Sequence, residues 1–192
     1  MGVDSEILHL INLCKKGDRK AQFDLYGRYS GLLFAVALRY TNTKIDAEDV
    51  VQNSWVKIFS KLESFSENNS FEGWMRRIVV NTAITLYRKS QKHAHQLDID
   101  DVHATPRDLE ASKKCDFTRD ELESAIERLP KGYGMVFKLY VIDGYKHKEI
   151  AEMLKIGVNT SKSQLSRAKK YLQNQLCHME KTAKPAPEQN ND

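Results

Sequence analysis

The chain has 192 residues, of which 41% are apolar and 29% charged, with 9 Gly and 4 Pro. This composition favours a mostly helical globular protein over a β-sandwich, a fibre or a disordered chain. The net charge of +4 is too small to indicate a nucleic-acid partner by itself. The longest apolar run, around Leu32 to Leu38, falls far short of the roughly 20 residues that a membrane-spanning helix needs.

Four helices are predicted in the first half of the chain. Asp4 or Ser5 caps the first, which ends near Gly17, and the second spans about residues 21–40. The core positions predicted for the second helix are Phe23, Tyr26, Leu33, Ala37 and Tyr40. The third and fourth helices carry apolar residues at helical spacing, namely Val51, Trp55, Ile58, Phe59 and Leu62, then Met75, Ile78, Val79, Thr82, Ala83 and Leu86. A polar loop, Ser64–Phe71, separates these two helices.

A segment without sustained periodicity, residues 93–116, divides the chain. Its net charge is −3, against +4 for residues 1–92 and +3 for residues 117–180. Two basic blocks on either side of an acidic connector suit two modules that both meet a polyanion. We therefore predict a domain over residues 1–92, a flexible linker over 93–116, a second domain over 117–179 and a disordered tail over 180–192.

The second half of the chain carries a helix-turn-helix pattern. Leu122, Ile126 and Leu129 define one helix, and residues 133–142 form another. Two more, about 147–154 and 159–176, are joined by a short turn over residues 155–158, with Asn159 or Thr160 as the cap. Small and apolar residues face inward, namely Ile150, Ala151, Leu154, Leu165, Ala168 and Leu172. This arrangement is typical of a helix-turn-helix that places its second helix in a DNA groove.

The last of these helices has basic and hydrogen-bonding side chains and no acid from residue 159 to 170. The basic ones are Lys162, Arg167, Lys169 and Lys170, and Ser161, Ser163, Gln164 and Ser166 add hydroxyl and amide groups. Arg and amide side chains read base edges, whereas Lys and Ser contact phosphates. The alternative is a solvated basic face on an ordinary helical hairpin.

The fourth helix has a basic stripe interrupted by an amide. Its members are Arg77, Asn81, Thr85, Arg88 and Lys92, flanked by Arg76 and Lys89, with Trp74 and Tyr87 available for stacking on unpaired bases. A solvated face of a bundle helix would give the same pattern. Asp46, Glu48 and Asp49 begin the third helix, where they offset the helix dipole and also suit docking onto a basic partner.

The chain has, in this order, the motifs DAEDVVQNSWVKIF and FEGWMRRIVVNTAITLYRK, a variable linker, and LPKGYGMVFKLYVIDGYKHKEIAEMLKI followed by SKSQLSRAKK. With these motifs in this order, the chain closely resembles the ECF-type sigma factors of bacterial RNA polymerase. The resemblance covers about residues 5–92 and 118–176. It implies an all-α protein with a four-helix sigma region 2 domain and a helix-turn-helix sigma region 4 domain. It also implies three partners: core RNA polymerase, contacted at its clamp helices and flap, promoter DNA, and an anti-sigma factor. The location that it implies is the cytoplasm.

The resemblance assigns roles to individual residues. Docking on the clamp helices points to Asp46, Glu48, Asp49, Gln52 and Trp55. Capture of the single-stranded minus-ten element points to Phe65, Asn68, Asn69, Ser70, Arg77, Asn81, Arg88 and Lys89. Duplex binding at the minus-thirty-five element points to Thr160, Lys162, Ser163, Gln164 and Arg167. The chain departs from the family at four positions. Thr85 stands where the family usually has Asp, Ser161 where it often has an apolar residue, and Gly134 where it usually has a basic one. Lys155 stands where a turn Gly is frequent, and Gly157 is expected to share the bend.

Other kinds of site have weaker support in the sequence. His93, His95, His103 and Cys115 lie in the predicted linker without a metal-binding spacing, and Asp98, Asp100 and Asp101 lack the rest of a calcium loop. The three scattered cysteines, Cys14, Cys115 and Cys177, suit a reducing cytoplasm. We predict no metal, no cofactor, no small-molecule substrate and no enzymatic activity. A promoter-recognising polymerase subunit is favoured over a stand-alone helix-turn-helix regulator and over a small nuclease.

Overall fold

The computed structural model of the chain describes residues 4–94 and 117–183. The chain divides into two compact units, residues 1–99 and 100–192. The described residues form α-helices and no strand, which confirms the predicted all-α, two-domain class. The N-terminal unit holds α1 (Ser5–Lys15), α2 (Arg19–Leu38), α3 (Lys44–Lys61), a short 3₁₀ turn (Leu62–Ser64) and α4 (Phe71–Ala94). The C-terminal unit holds α5 (Arg119–Glu127), α6 (Lys131–Phe137), α7 (His147–Leu154) and α8 (Val158–Ala183).

The division between the units falls inside the predicted linker 93–116, of which residues 95–116 lie outside the described part of the chain. The helix α4 runs to Ala94, slightly past the predicted boundary. The helix α8 runs to Ala183, so residues 180–183 of the predicted disordered tail are helical, and residues 184–192 lie outside the description.

Short polar side chains cap the first helices of the N-terminal unit. Asp4 caps α1, as predicted. The Asp18 carboxylate accepts a hydrogen bond of 2.9 Å from the N–H of Ala21 at the start of α2. The Thr43 hydroxyl oxygen accepts one of 3.0 Å from the N–H of Asp46, so α3 begins at Lys44, earlier than the sequence pattern predicted. Each cap satisfies a backbone donor that the helix itself leaves without a partner.

The helix α2 is central to the N-terminal unit and packs against α1, α3 and α4. The predictions for Leu33, Ala37 and Tyr40 are confirmed, since all three are buried. Those for Phe23 and Tyr26 are wrong, because their side chains are 75% and 42% exposed. The buried stripe of α2 instead follows Ala21, Leu25, Tyr29, Leu33 and Val36. Phe23 lies two residues beyond Ala21, about 200° around the helix, and therefore on the opposite face.

In the C-terminal unit, α8 packs against α5, α6 and α7. Among the described residues of this unit, the large, fully buried side chains are Val136, Leu139 and Ile150. The small buried residues Ala125 and Ala168 allow the helices to approach closely. Leu122, which the sequence pattern placed inward, is 40% exposed. The buried residue of α5 is Ala125, three residues after Leu122.

The start of α5 is held by a reciprocal cap between Thr118 and Glu121. The Glu121 carboxylate accepts a hydrogen bond of 2.8 Å from the N–H of Thr118, and the N–H of Glu121 donates one of 3.3 Å to the Thr118 hydroxyl. The backbone and side-chain hydrogen bonds from Thr118 lower the pKa of Glu121 from its ordinary value of 4.5.

The helix predicted over residues 133–142 begins at Lys131, directly after Pro130. Its last turn, Lys138–Ile142, widens into a π-helical turn. This turn leaves Tyr140, Val141 and Ile142 exposed, whereas Leu139 before them is fully buried. No helix within residues 4–94 and 117–183 is long and apolar enough to cross a membrane.

Candidate nucleic-acid interface

The helix α3 presents an acidic face along its first half. Glu48, Asp49 and Gln52 are exposed, and Asp46 is half-buried. The Asp46 carboxylate accepts a hydrogen bond of 2.8 Å from the Thr43 hydroxyl, so this residue also serves the cap of α3. Glu48, Asp49 and Gln52 are therefore the predicted docking residues that are open to a partner.

Trp55, the fifth residue predicted to dock, is 3% exposed and belongs to the core. Its ring N–H donates a hydrogen bond of 3.1 Å to the Ser30 hydroxyl. Its ring stacks on Phe59 at 5.3 Å and lies tilted on Tyr26 at 5.2 Å between centroids. An indole has a large apolar surface and one donor, and this site buries the surface and satisfies the donor. Trp55 therefore positions α3 against α2, and its role in docking stays a prediction.

The loop between α3 and α4 is anchored by aromatic side chains. Phe65, predicted to line a base pocket, is 5% exposed. Its ring meets Phe71 edge-on at 5.0 Å and Trp74 at 5.5 Å between centroids, and Phe71 meets Tyr29 edge-on at 5.7 Å. Phe65, like Trp55, is therefore removed from the surface by the aromatic rings packed around it, and its role in a base pocket stays a prediction.

The polar residues of the loop remain at the surface. Asn68, Asn69 and Ser70 are exposed, and the Asn69 N–H donates a hydrogen bond of 3.0 Å to the Ser66 carbonyl in a turn. The Ser70 hydroxyl accepts a hydrogen bond of 3.2 Å from the Gly73 N–H and so caps α4. Asn68 and Asn69 thus precede the cap of α4 in the chain and leave their amide groups exposed.

The helix α4 buries one face and exposes a basic one. Met75, Val79, Val80, Ala83 and Ile84 are buried. Arg77, Asn81, Thr85 and Lys89 are exposed, Arg88 is half-buried, and the side chain of Lys92 lies outside the description. At 100° per residue, the positions from Arg77 to Lys89 occupy one continuous arc, so the predicted stripe exists as a surface.

The helices α7 and α8 form the predicted helix-turn-helix with a different turn. Lys155, which ends α7, has a left-handed backbone with φ of 56°, and the N–H of Ile156 donates a hydrogen bond of 3.1 Å to the Ala151 carbonyl. Gly157 does not share the bend, because Lys155 itself adopts the conformation that a glycine usually supplies. The helix α8 begins at Val158, so Asn159 and Thr160 lie within its first turn and do not cap it.

A polar contact that the sequence did not reveal joins the two helices of this motif. The Ser161 hydroxyl is completely buried and lies 2.9 Å from the Nδ1 atom of His147. The His147 ring also stacks on Tyr140 at 4.5 Å between centroids. Ser161 stands at a position that is often apolar in the family, and His147 supplies the partner that a buried hydroxyl requires.

The outer face of α8 carries most of the residues predicted to bind DNA. Thr160, Lys162, Ser163 and Arg167 are exposed. Gln164 is half-buried, and its amide nitrogen packs beside Gly132 at the start of α6, where an added Cβ would come within 3.4 Å of it. Four of the five predicted contacts are therefore open, and Gln164 is partly occupied by packing within the unit.

The described residues show no group of three or more His, Cys, Asp or Glu side chains placed to hold a metal ion. The histidines and cysteine considered from the sequence as zinc ligands lie at positions 93, 95, 103 and 115; the last three fall outside the described residues, and so does the side chain at 93. Cys14 is buried in α1, and burial together with Asp18 and Asp24 raises the pKa of its thiol to about 11.

Comparison with known proteins matches both units. The family description Sigma-70 region 2 matches residues 25–93, and Sigma-70, region 4 matches residues 119–172. The ECF RNA polymerase sigma-E factors of Salmonella typhimurium (strain LT2) and Escherichia coli (strain K12) are each 29% identical over 180 residues, which cover 87% of this chain and 92% of theirs. A solved structure of the sigma factor RpoE with the anti-sigma factor NepR from Bartonella quintana is similar over 80% of this chain and 95% of that chain, at 21% identity and a TM-score of 0.49.

Proposed function

The chain belongs to the ECF-type sigma factors, a family of non-enzymatic initiation factors for promoter-specific transcription, and we propose that its surfaces divide that work as follows. The acidic face of α3 docks on the clamp helices of core RNA polymerase. The loop 64–71 and the exposed arc of α4 capture the minus-ten element as a single strand. The helix α8 enters the major groove at the minus-thirty-five element, and its unit also contacts the polymerase flap.

The observation that carries this proposal is the charge division within the N-terminal unit. Glu48 and Asp49 are exposed on α3, whereas Arg77 and Lys89 are exposed on α4, and both helices pack on the same core. An acidic surface suits a basic protein partner, and a basic arc with amides suits a nucleic-acid strand. A stand-alone DNA-binding regulator would need only the helix-turn-helix and would leave this division without a use.

Promoter opening in this proposal is a shift of equilibrium by capture. Arginine and lysine side chains of α4 hold phosphates, and Asn68, Asn69 and Asn81 offer amides that hydrogen-bond to unpaired bases. Because these groups bind bases that have left the duplex, their binding energy favours the open state over the closed one. The C-terminal unit anchors on duplex DNA through Lys162 and Arg167 at the exposed face of α8.

An anti-sigma factor completes the proposed set of partners. ECF-type sigma factors are commonly held by such proteins, and the same class of partner is proposed for this chain. The family assignment supports this part of the proposal.

The experiment that tests the proposal is co-elution of the purified chain with sigma-free core RNA polymerase on a sizing column. We expect binding that the housekeeping sigma factor displaces. The double charge reversal Glu48→Lys and Asp49→Lys should weaken binding by at least tenfold, since close like charges at an interface cost several kcal/mol in typical cases, with about 1.4 kcal/mol per factor of ten.

Glu63→Lys is the matched control, because Glu63 is also exposed but lies in the 3₁₀ turn after α3. It should bind core polymerase like the natural chain. A folded chain that does not bind core polymerase would overturn the proposal and favour a stand-alone regulator, to be tested next by selection of duplexes on the full chain.

A further inference from the structure

Lys57 of α3 reaches across to α4, although the sequence pattern assigned it no role. Its side-chain ammonium donates a hydrogen bond of 3.0 Å to the Thr82 hydroxyl. That hydroxyl donates its own hydrogen to the Ile78 carbonyl at 2.8 Å, so its oxygen is available to accept from the lysine. Thr82 is 7% exposed whereas Lys57 is exposed, which places the ammonium at the edge of α4, where this helix meets α3.

This edge borders the basic arc of α4 at its midpoint. Arg77 and Arg88 are eleven residues apart, about 16 Å along an ideal helix, and the exposed positions between them, Asn81 and Thr85, are uncharged. Thr82 lies five residues after Arg77, about 7 to 8 Å along the axis. The hydrogen bond to Thr82 therefore brings a positive charge to the part of the arc where α4 has none.

Within residues 4–94 and 117–183, no ion pair joins the Lys57 ammonium to an acidic side chain. The ion pairs found there include Arg28 to Glu6, Arg76 to Glu72 and Arg119 to Glu123. The acidic residues of α3 end at Asp49, eight residues or about 12 Å before Lys57. An ammonium has three donors, and the Thr82 hydroxyl takes one, so charge and donors remain for an anion.

We propose that Lys57 is a further nucleic-acid contact, which holds a phosphate of the strand lying along α4. This inference rests on the proposed capture of a single strand by α4 and adds to it a cation delivered from the docking helix. Thr82 is a positioning residue in this arrangement, because its hydroxyl acts only through Lys57. One helix, α3, then serves the polymerase with its first half and the DNA strand with its second.

The test compares Lys57→Ala, Lys57→Arg and Lys20→Ala in reconstituted holoenzyme, on a promoter first mapped by run-off transcription of genomic DNA. The readout is the equilibrium of promoter opening between 0.05 and 0.3 M salt, followed with a fluorescent base in the minus-ten segment. Loss of one single-strand phosphate contact should reduce the magnitude of the negative slope of log K against log salt by about 0.7, which corresponds to about a fivefold loss of opening at 0.1 M salt. Lys57→Arg should keep most of the opening, because it keeps the charge.

Lys20→Ala removes the same charge from an exposed position in the first turn of α2 and should leave the slope unchanged. Thr82→Val keeps the side-chain shape but removes the acceptor, so it should reproduce part of the Lys57→Ala effect without a change of net charge. Affinity for core polymerase, measured separately, should be the same for all four variants. A fall in core affinity that accounts for the loss of opening would overturn the inference.

Arg77→Ala is measured beside these variants to separate the inference from the function on which it rests. If Arg77→Ala makes the salt dependence less steep and Lys57→Ala does not, Lys57 is no contact and capture by α4 stands. If neither variant changes the slope, both the inference and strand capture by α4 are wrong.

Discussion

The two units of the chain are built from the same kind of amphipathic helix, but their cores differ in size. The N-terminal unit buries long aliphatic side chains in every helix, including Ile11, Leu25, Leu33, Ile58 and Met75. In the described part of the C-terminal unit, the large, fully buried side chains are Val136, Leu139 and Ile150. The C-terminal unit also places a polar contact, His147 to Ser161, between its two central helices.

This difference shows how much depends on single residues in each unit. A small domain buries a smaller fraction of its surface, so each buried group carries a larger share of its stability. The N-terminal unit spreads its stability over four helices and an aromatic cluster. We expect the C-terminal unit to be the first to open, and mutations there to have effects confined to that unit.

The largest expected effect comes from Ile150→Ala in the C-terminal unit. Loss of a fully buried isoleucine costs about 2–5 kcal/mol, which is comparable to the whole stability of a unit of this size. We expect amide hydrogen exchange to lose its protection in α5 to α8 and to keep it in α1 to α4. The matched variant Ile58→Ala should leave the N-terminal unit folded. Loss of protection in the N-terminal unit on replacing Ile150 would break the comparison.

A smaller effect is expected from Ser161→Ala, which removes the hydrogen bond between α7 and α8. The loss should be about 1 kcal/mol, because His147 is only half-buried and regains part of its hydration. The urea midpoint of the C-terminal unit is the measurement. Ser163→Ala, at an exposed position two residues later, is the control and should change the midpoint little. Equal effects of the two substitutions would show that the buried contact contributes nothing.

Lys155→Gly should stabilise the C-terminal unit by about 0.5–1 kcal/mol. A left-handed backbone costs a residue with a Cβ about 1–2 kcal/mol, and glycine avoids this cost. Part of the gain is offset because glycine loses more conformational entropy on folding. Gly17→Ala provides the reverse test in the N-terminal unit. Gly17 has φ of 81° and space for a Cβ, so alanine there should be destabilising through the backbone alone. Thermal unfolding of both variants checks the pair, and a destabilising Lys155→Gly would contradict the assigned turn.

The smallest effect concerns acid. The hydrogen bonds to Thr118 lower the pKa of Glu121 in the folded chain. At pH values above the ordinary pKa of 4.5, the charged carboxylate therefore stabilises the fold. As the pH falls through the lowered pKa, the carboxylate takes up a proton and that contribution is lost. We expect the C-terminal unit to lose stability below about pH 4.5, with a shallower fall in Glu121→Gln. Identical pH profiles for the two proteins would exclude this cap as the cause.

Much of the fold could be predicted from the sequence, because a helix depends on periodicity and caps that are local. Asp4 before α1, the apolar positions of α3 and α4 and the pattern of α7 and α8 are all local signals. They were enough for the all-α class and for the exposure of Arg77 and Asn81. The family resemblance supplied the expected roles, which remain proposals for individual residues.

The sequence was least informative where packing between distant residues decides whether a side chain is buried. Phe23 and Tyr26 were assigned to the core and are exposed, whereas Trp55 and Phe65 were assigned to contact surfaces and are buried. An aromatic residue suits a core and a binding surface equally well by composition. Which role it takes depends on whether a neighbouring helix covers it, and the spacing within its own helix does not specify that neighbour.

The helices, most of the buried face of α4 and the charge of each segment could be predicted from the sequence alone, since these depend on residues within a few turns of one another. Only the tertiary structure brought Lys57 to Thr82 and His147 to Ser161, which are 25 and 14 residues apart. It also decided that Lys155 takes the left-handed turn in place of Gly157. Such contacts arise from how helices pack, and packing is fixed by the whole core at once.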